Sequence, residues 1–290
     1  MNLIHVIPIA RHVFTDELTY FTKESIPEGA LITVPIRKKE LPALVISSTP
    51  VKDAKGAIRT SDFKMRKISG SSPTHFLGPQ FISAAKQTAN YFAAPIGSVL
   101  FGTVPKAIRD LEEKPLLQTP IRPSQPTKPF EPLILQANRT TRIEEYKSLA
   151  RNAFARNQSV IILAPTIRET EIIASALERG IGRYLYIFHS GISKGTLIKK
   201  WHAALANKHA IVAVMTGGFL SLPRHDIGTI IIEREQSTTY KVNQRPFVDH
   251  RNLEHQYERA LGATLVRGDQ PLMVDTLRYY EAGTAEIISD

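Results

Sequence analysis

Cysteine is absent from the 290-residue chain. That excludes disulfides, thiolate nucleophiles and every cysteine-ligated zinc or iron–sulfur centre, and it fits a reducing compartment. No apolar run approaches the roughly 18–20 residues a membrane span needs. The opening MNLIHVIPIARH has no basic stretch ahead of its short apolar run, so it does not read as a secretion signal. Acidic residues are in short supply: 27 Asp and Glu face 37 Lys and Arg, for a net charge of +10 and a pI near 9.7. Tryptophan occurs once, at Trp201, and no internal repeat is present. The expectation is a soluble, cytoplasmic, basic protein whose excess charge points to a polyanion such as nucleic acid. A basic surface kept for solubility is the alternative. Hydrophobic residues make up 42%, enough for a sizeable core. A chain of this length suggests about two domains.

Proline gives the clearest boundary. Six of the 19 prolines fall between Pro115 and Pro132. Proline lacks an N–H and restricts the residue before it, so this stretch suits neither a helix nor a sheet interior. It reads as an extended linker, dividing the chain into residues 1–106, a linker at 107–131, and residues 132–290. The first part carries thirteen basic and seven acidic residues, for +6; the linker is neutral, and the last part is +4. Much of the first part's charge sits in Arg37-Lys38-Lys39 and in Lys64, Arg66 and Lys67. A solvated turn is the ordinary explanation of such a run.

The pattern predicts an α/β protein. Short β-branched runs at 3–9, 30–36 and 42–48 read as strands, and 79–93 reads as a helix behind a proline. Residues 95–105 read as one or two further helical turns. The second part alternates continuous apolar runs (159–165, 184–188, 210–215, 228–233, 263–266) with amphipathic stretches (142–156, 169–179, 194–206, 249–261). That alternation predicts a doubly wound parallel sheet. Ligands on such sheets bind beyond the carboxyl ends of the strands, here at 164–168, 189–194, 216–220 and 233–241.

The residues there form a familiar series. HSGISKGTLIKKW, AIVAVMTGGFL and IIIEREQSTTYK follow NYFAAPIGSVLFGTVP and an opening HVIPIA…YF…IPEGALITVPIRKKELPALVIS. In order and spacing, over most of 1–106 and 133–280, the set resembles the PriA (primosomal protein N′) family of replication-restart helicases. The resemblance implies a small β-rich domain that binds the 3′ end of DNA, followed by one RecA-like helicase lobe. The family is an ATP-dependent 3′–5′ DNA helicase. ATP and Mg²⁺ are its cofactors; forks, 3′ ends and single strands are its DNA partners. The resemblance also places Lys64 where the family has a lysine for 3′-end recognition. Tyr20 falls on the tyrosine of a Phe-Asp-Tyr triplet, but Leu18 and Thr19 stand before it, so the aspartate that would receive the 3′-hydroxyl is replaced.

The departures concern nucleotide handling. A phosphate-binding loop needs glycines for tight turns and a lysine for the β/γ-phosphates. The corresponding segment, LQANRTTRIEEY at 135–146, has neither, and Thr140 or Thr141 is the expected cap of a helix at Arg142. The family's acidic quartet reads Glu233-Arg234-Glu235-Gln236. Glu233 retains the capacity to hold a cation, whereas Arg234 is permanently protonated and is no base. The element similar to Gly-Ser-Ala-Thr-Pro stands as Arg267-Gly268-Asp269-Gln270-Pro271, with only the proline in register. The family's zinc-bearing insert, winged helix and second lobe are also expected to be missing. ATP is sandwiched between two lobes in such helicases, so a single lobe is not expected to cycle.

The sequence therefore favours a non-enzymatic DNA-binding protein of replication restart or repair, without metal, zinc or nucleotide cofactor and without a membrane partner. Its degenerate lobe is expected to dock replication or repair proteins. Two alternatives stand beside it: a residual ATPase or helicase subunit needing a partner lobe, and a structural primosome adaptor without DNA affinity. Other residues read as structural. His250 and His255, five apart on a helix, do not stack as metal ligands. His189-Ser190 reads as loop, and Trp201 as packing. Phe14, Tyr20, Phe21 and Phe63 offer rings for stacking on bases, but the default reading of each in a small strand-rich domain is core.

Overall fold

The computed structural model describes residues 1–11, 13, 17–53, 66–68, 75–110 and 132–289. Lys64, Phe14, Phe63 and the proline-rich segment 111–131 lie outside them. The architecture is α/β, with a curled mixed sheet of six strands and an all-parallel sheet of seven.

The first sheet is built from β1 (Asn2–Pro8), β2 (Leu18–Thr22), β3 (Ala30–Ile36), β4 (Lys39–Pro50), β5 (Arg66–Lys67) and β6 (His75–Phe76), in the order β5-β2-β1-β4-β3-β6. β3 and β4 form a hairpin in which Ile36 pairs with Lys39, so Arg37 and Lys38 are its two-residue turn. Such turns need a positive φ, which glycine or asparagine adopts most easily. Here Arg37 adopts it, at φ 56°. One face of the sheet closes over Ile4, Val6, Ile32, Val34, Ala43 and Val45. A register shift between His5 and Val6 interrupts the β1–β4 ladder, and beyond it Ile7 and Ile9 join the opposite face with Leu31 and Leu44.

Helix α1 (Pro79–Tyr91) covers that second face. Proline stands at its first turn, and Phe81, Ala84, Ala85, Thr88 and Ala89 are buried, the i, i+3, i+4, i+7, i+8 spacing of one helical face. Helix α2 (Ile96–Thr103) follows, then a helical turn α3 (Lys106–Arg109). α2 lies so close to β1 that a Cβ at Gly97 would fall 2.0 Å from the Pro8 carbonyl oxygen.

The second sheet comprises β7 (Leu133–Gln136), β8 (Ser159–Leu163), β9 (Leu185–Phe188), β10 (Val212–Met215), β11 (Ile227–Glu233), β12 (Thr264–Asp269) and β13 (Glu286–Ser289). Its order is β13-β7-β12-β11-β8-β10-β9. Between the strands run α4 (Arg139–Ala155), α5 (Ile167–Ile181), α6 (Lys194–Ala206), α7 (His250–Leu261) and α8 (Val274–Glu281). The strands alternate strictly. Val160 and Ile162 face Tyr146 of α4 and Leu177 of α5, while Ile161 and Leu163 join the opposite cluster with Trp201 and Leu253. Trp201 is fully buried, with its ring edge-on to Phe188 at 5.4 Å.

That opposite cluster does not stop at the lobe. It runs on through α1 and α2 to Ile7 and Leu44 of the first sheet, and Phe81 of α1 packs edge-on against Tyr257 of α7 at 5.5 Å. The sheets thus share one apolar layer. No described helix is long and apolar enough to cross a membrane.

Candidate functional site

The junction of β7 and α4 occupies the carboxyl edge of the parallel sheet. Asn138 is the helix cap: its side-chain oxygen accepts the Thr141 amide at 3.1 Å. The helix therefore starts at Arg139, three residues before the expected start, and neither Thr140 nor Thr141 caps it. Asparagine serves because it holds an extended backbone while satisfying an orphan amide of the first turn.

Starting the helix there turns Arg142 inward. Its guanidinium reaches past β12 to Glu233 at the end of β11, making two hydrogen bonds, Nη2 to Oε1 at 2.6 Å and Nε to Oε2 at 2.9 Å. The remaining Nη1 donates to the Ala137 carbonyl at 2.5 Å. Tyr146, one turn along α4, donates its hydroxyl to Glu233 Oε2 at 2.7 Å. Arg142 is 4% and Glu233 1% exposed, so this is a buried ion pair with a third donor. The approach depends on Gly268 of β12, where a Cβ would lie 2.1 Å from the Tyr146 hydroxyl and 3.1 Å from Arg142 Cδ. Burial pulls the Arg142 pKa down, but the hydrogen bonds and charge of Glu233 outweigh it and hold it above the ordinary value. The Tyr146 phenol is pushed well up, by burial first and the Glu233 charge second.

Glu233 was expected to retain capacity for a cation. Its carboxylate is already held by a bidentate guanidinium, which matches carboxylate geometry and never deprotonates, and by a phenol. The rest of the quartet is tied into the fold. Arg234, at φ 53°, gives its amide to the Gly268 carbonyl at 2.7 Å and its side chain to Glu169 at 3.2 Å. Glu169 also pairs with Arg139 at 2.7 Å. Glu235 is fully buried and accepts the Met273 amide at 2.8 Å, the Thr276 hydroxyl at 2.7 Å and Arg267 at 3.3 Å. Gln236 donates its backbone amide to Asp269 Oδ2 at 2.9 Å and its side-chain amide to the carbonyls of Pro271 and Leu272. These contacts explain why β12 extends through Asp269 instead of ending at 266: Arg267 and Asp269 are buried but partnered.

The other candidates cluster elsewhere. Arg37, Lys38 and Lys39 are exposed around the β3–β4 turn. Edge strand β5 brings Arg66 beside them, its guanidinium 3.4 Å from the Arg37 carbonyl, and Lys67 follows, exposed. None of these five forms an ion pair among the described residues. Tyr20 pairs with Arg66 in the β2–β5 ladder but is 5% exposed, and its hydroxyl donates to the Pro35 carbonyl at 2.9 Å. It supports the hairpin from beneath and presents no ring face to solvent. Burial raises its pKa, against the nearby Arg66 charge.

His189 is buried and accepts the Gly191 amide on Nδ1 at 3.2 Å, which shapes its loop. His250 and His255 are both held neutral by burial, each near pKa 4. Among the described residues no group of three or more potential ligands could hold a metal. Arg142 was expected only as a helix start and Gly268 only within the 267–271 element, and no site role was expected for Tyr146. The one signal in the sequence was the missing lysine and glycines of 135–146, which left an arginine in the first helical turn.

No protein-family model matches the chain. Two curated relatives, both named replication restart protein PriA and from two strains of Helicobacter pylori, are 26% and 25% identical over 248 residues. The match takes in 82% of this chain and 38% of theirs, so the chain spans well under half of their length. Among solved structures, the C-terminal domain of S. cerevisiae Dbp5 aligns with 55% of the chain at 9% identity and a TM-score of 0.41. In its ordered motifs and in these two matches, the chain is distantly similar to replication restart protein PriA.

Proposed function

We propose that the chain is a non-enzymatic DNA-binding protein of replication restart. In this reading, the basic edge formed by Arg37, Lys38, Lys39, Arg66 and Lys67, together with Lys64, holds fork or single-stranded DNA by its phosphates. The parallel-sheet lobe neither binds nor hydrolyses ATP and serves as a platform for replication or repair proteins.

The observation that carries the second half is the Arg142–Glu233 pair. A Mg-nucleotide needs backbone amides and a lysine around its phosphates and an acidic group open to the metal. Residues 135–146 contain no glycine and no lysine, and Glu233 is closed by Arg142 and Tyr146. The residues present do not fit the cofactor. The first half rests on five exposed cations gathered at one corner, without ion pairs among the described residues, the arrangement that attracts a polyanion.

Calorimetry with millimolar Mg-ATP is the decisive test of the lobe, with no heat of binding expected. Measurable affinity would restore the residual-ATPase alternative. Fluorescence anisotropy with fork and single-stranded DNA across a salt series tests the other half. A negative slope of log affinity against log salt is expected. Absence of binding at low salt would leave the adaptor alternative. Comparing 3′-hydroxyl with 3′-phosphate ends then reports whether Leu18-Thr19 still allows terminal recognition.

A further inference from the structure

A second basic site lies away from the hairpin, at the seam between the two sheets. Arg11, Phe101 and Gly102 form one wall of a cleft; Arg245 and Val248 form the other, with His250 at the seam. Among the described residues no carboxylate lines it. Arg11 reaches across to the side chain of Gln244, bridging the two walls. Arg11 and Arg109 both stand over the Phe101 ring, at 5.0 and 3.9 Å from its centroid. Arg11, Arg109 and Arg245 form no ion pair among the described residues. Arg11 and Arg109 share the Phe101 ring, and Arg11 and Arg245 line the cleft, so positive charge gathers here, with Asp110 opposing it beside Arg109. Burial lowers the Arg109 pKa; Asp110 opposes this, and Arg11 reinforces it.

His250 also lines the cleft. His250 is 9% exposed, and its Nδ1 has no hydrogen-bond partner. Its ring is fixed in place: a Cβ on Gly217 would lie 2.4 Å from its Cγ. A neutral imidazole offers one N–H donor. A buried polar atom left unsatisfied costs about 1–3 kcal/mol.

We propose that this cleft binds a backbone phosphate of single-stranded nucleic acid, held by Arg11 and Arg245, with His250 in its lining. The inference rests on the DNA-binding reading above and gives that reading a second contact point, on the lobe side. A phosphate is the fitting group because the charged side chains in the cleft lining are arginines and Phe101 already carries two cations. The apolar walls lower the local dielectric and strengthen the attraction.

The test uses the full chain and a fluorescein-labelled oligothymidylate, with binding measured from low to moderate salt. The Arg11→Ala, Arg245→Ala double variant is expected to bind about tenfold more weakly. Its log–log salt slope should fall by about 0.7, the value for one single-strand phosphate contact. In parallel, wild type should bind inorganic phosphate by calorimetry and the double variant should not. If the folded double variant keeps wild-type affinity and slope, this site is overturned while the DNA-binding reading stands. If wild type binds phosphate but no oligonucleotide, both the nucleic-acid occupant and the DNA-binding reading fail. Melting curves accompany each variant. Should the double variant melt early, Arg245→Ala alone, in an exposed loop, is expected to lower the slope in the same direction, and an unchanged slope there overturns the site.

Discussion

Arg142 and Glu233 meet side-on across the parallel sheet, the guanidinium of α4 closing on the carboxylate of β11 through hydrogen bonds of 2.6 and 2.9 Å. Both are buried, and neither end is replaceable alone. Removing one partner of such a pair leaves an unpaired buried charge and costs about 3–5 kcal/mol, whereas replacing both by neutral groups costs much less. Arg142→Ala is therefore expected to lower unfolding stability in urea at pH 7 by about that amount. Arg142→Met combined with Glu233→Gln should recover most of it. A double variant as unstable as the single would show that shape, not charge, governs the site.

Gly268 tests the same contact from the third strand. Its missing Cβ leaves room for the Tyr146 hydroxyl, which would otherwise sit 2.1 Å away. Gly268→Ala is expected to destabilise by about 1–3 kcal/mol through overpacking. Tyr146→Phe removes the colliding oxygen, so the double variant should be less damaged than the sum of the singles. Simple additivity in that cycle would mean the two positions do not meet.

Gly97 makes a comparable claim at the seam. Alanine there would press into the Pro8 carbonyl, backbone against which nothing flexible can yield. Gly97→Ala should lower the melting temperature clearly, by overpacking worth about 1–3 kcal/mol or more. Gly102→Ala on the same helix has nothing within 4 Å of the added carbon and should be nearly silent.

Arg37 separates charge from strain. It holds φ 56° in the hairpin turn, where glycine would be relaxed. Arg37→Gly is expected to leave stability unchanged or slightly raised while weakening DNA binding and flattening its salt dependence. A loss of stability with unchanged binding would give the residue a structural role instead.

Helix α7 carries opposing titrations. Burial lowers His250 and His255 to about 4 from 6.5, so their contribution to stability is present above pH 6.5 and lost as pH falls toward 4. Burial raises Glu258 to about 7, against Arg259 and Arg267, and lifts Glu254 well above its ordinary value. A raised carboxyl favours the fold while protonated, so that contribution is full below about 4.5 and lost as pH rises through 7. Relative to wild type, Glu258→Gln should gain melting temperature between pH 4.5 and 7 and level off above. A constant difference across that range would show that Glu258 does not titrate there.

Much of the fold was legible in the sequence because periodicity is local. Strand β3 falls at Ala30–Ile36 and α6 at Lys194–Ala206, as the pattern predicted, and the parallel runs lie within a few residues of their strands. The misses have identifiable causes. β2 and β7 are short and lack a long apolar run, and β5 consists of two charged residues. β12 continues through Arg267 and Asp269 because partners from other strands and loops neutralise them, which no window of sequence can contain.

The site divides in the same way. Sequence alone determined that residues 135–146 hold no glycine or lysine and that Arg234 follows Glu233, since a residue is either present at a position or absent. It also determined the excess of basic charge and its concentration in the first part of the chain. Tertiary structure decided what stands in their place. Arg142 fills the position opposite Glu233 because Asn138 starts the helix early and Gly268 leaves a passage across β12. Tyr20 became a support because its ring faces the sheet core, and Arg11 came to face Arg245 because one apolar layer joins the two sheets. Each of these depends on a contact between residues distant in the chain, and only the packed fold creates such contacts.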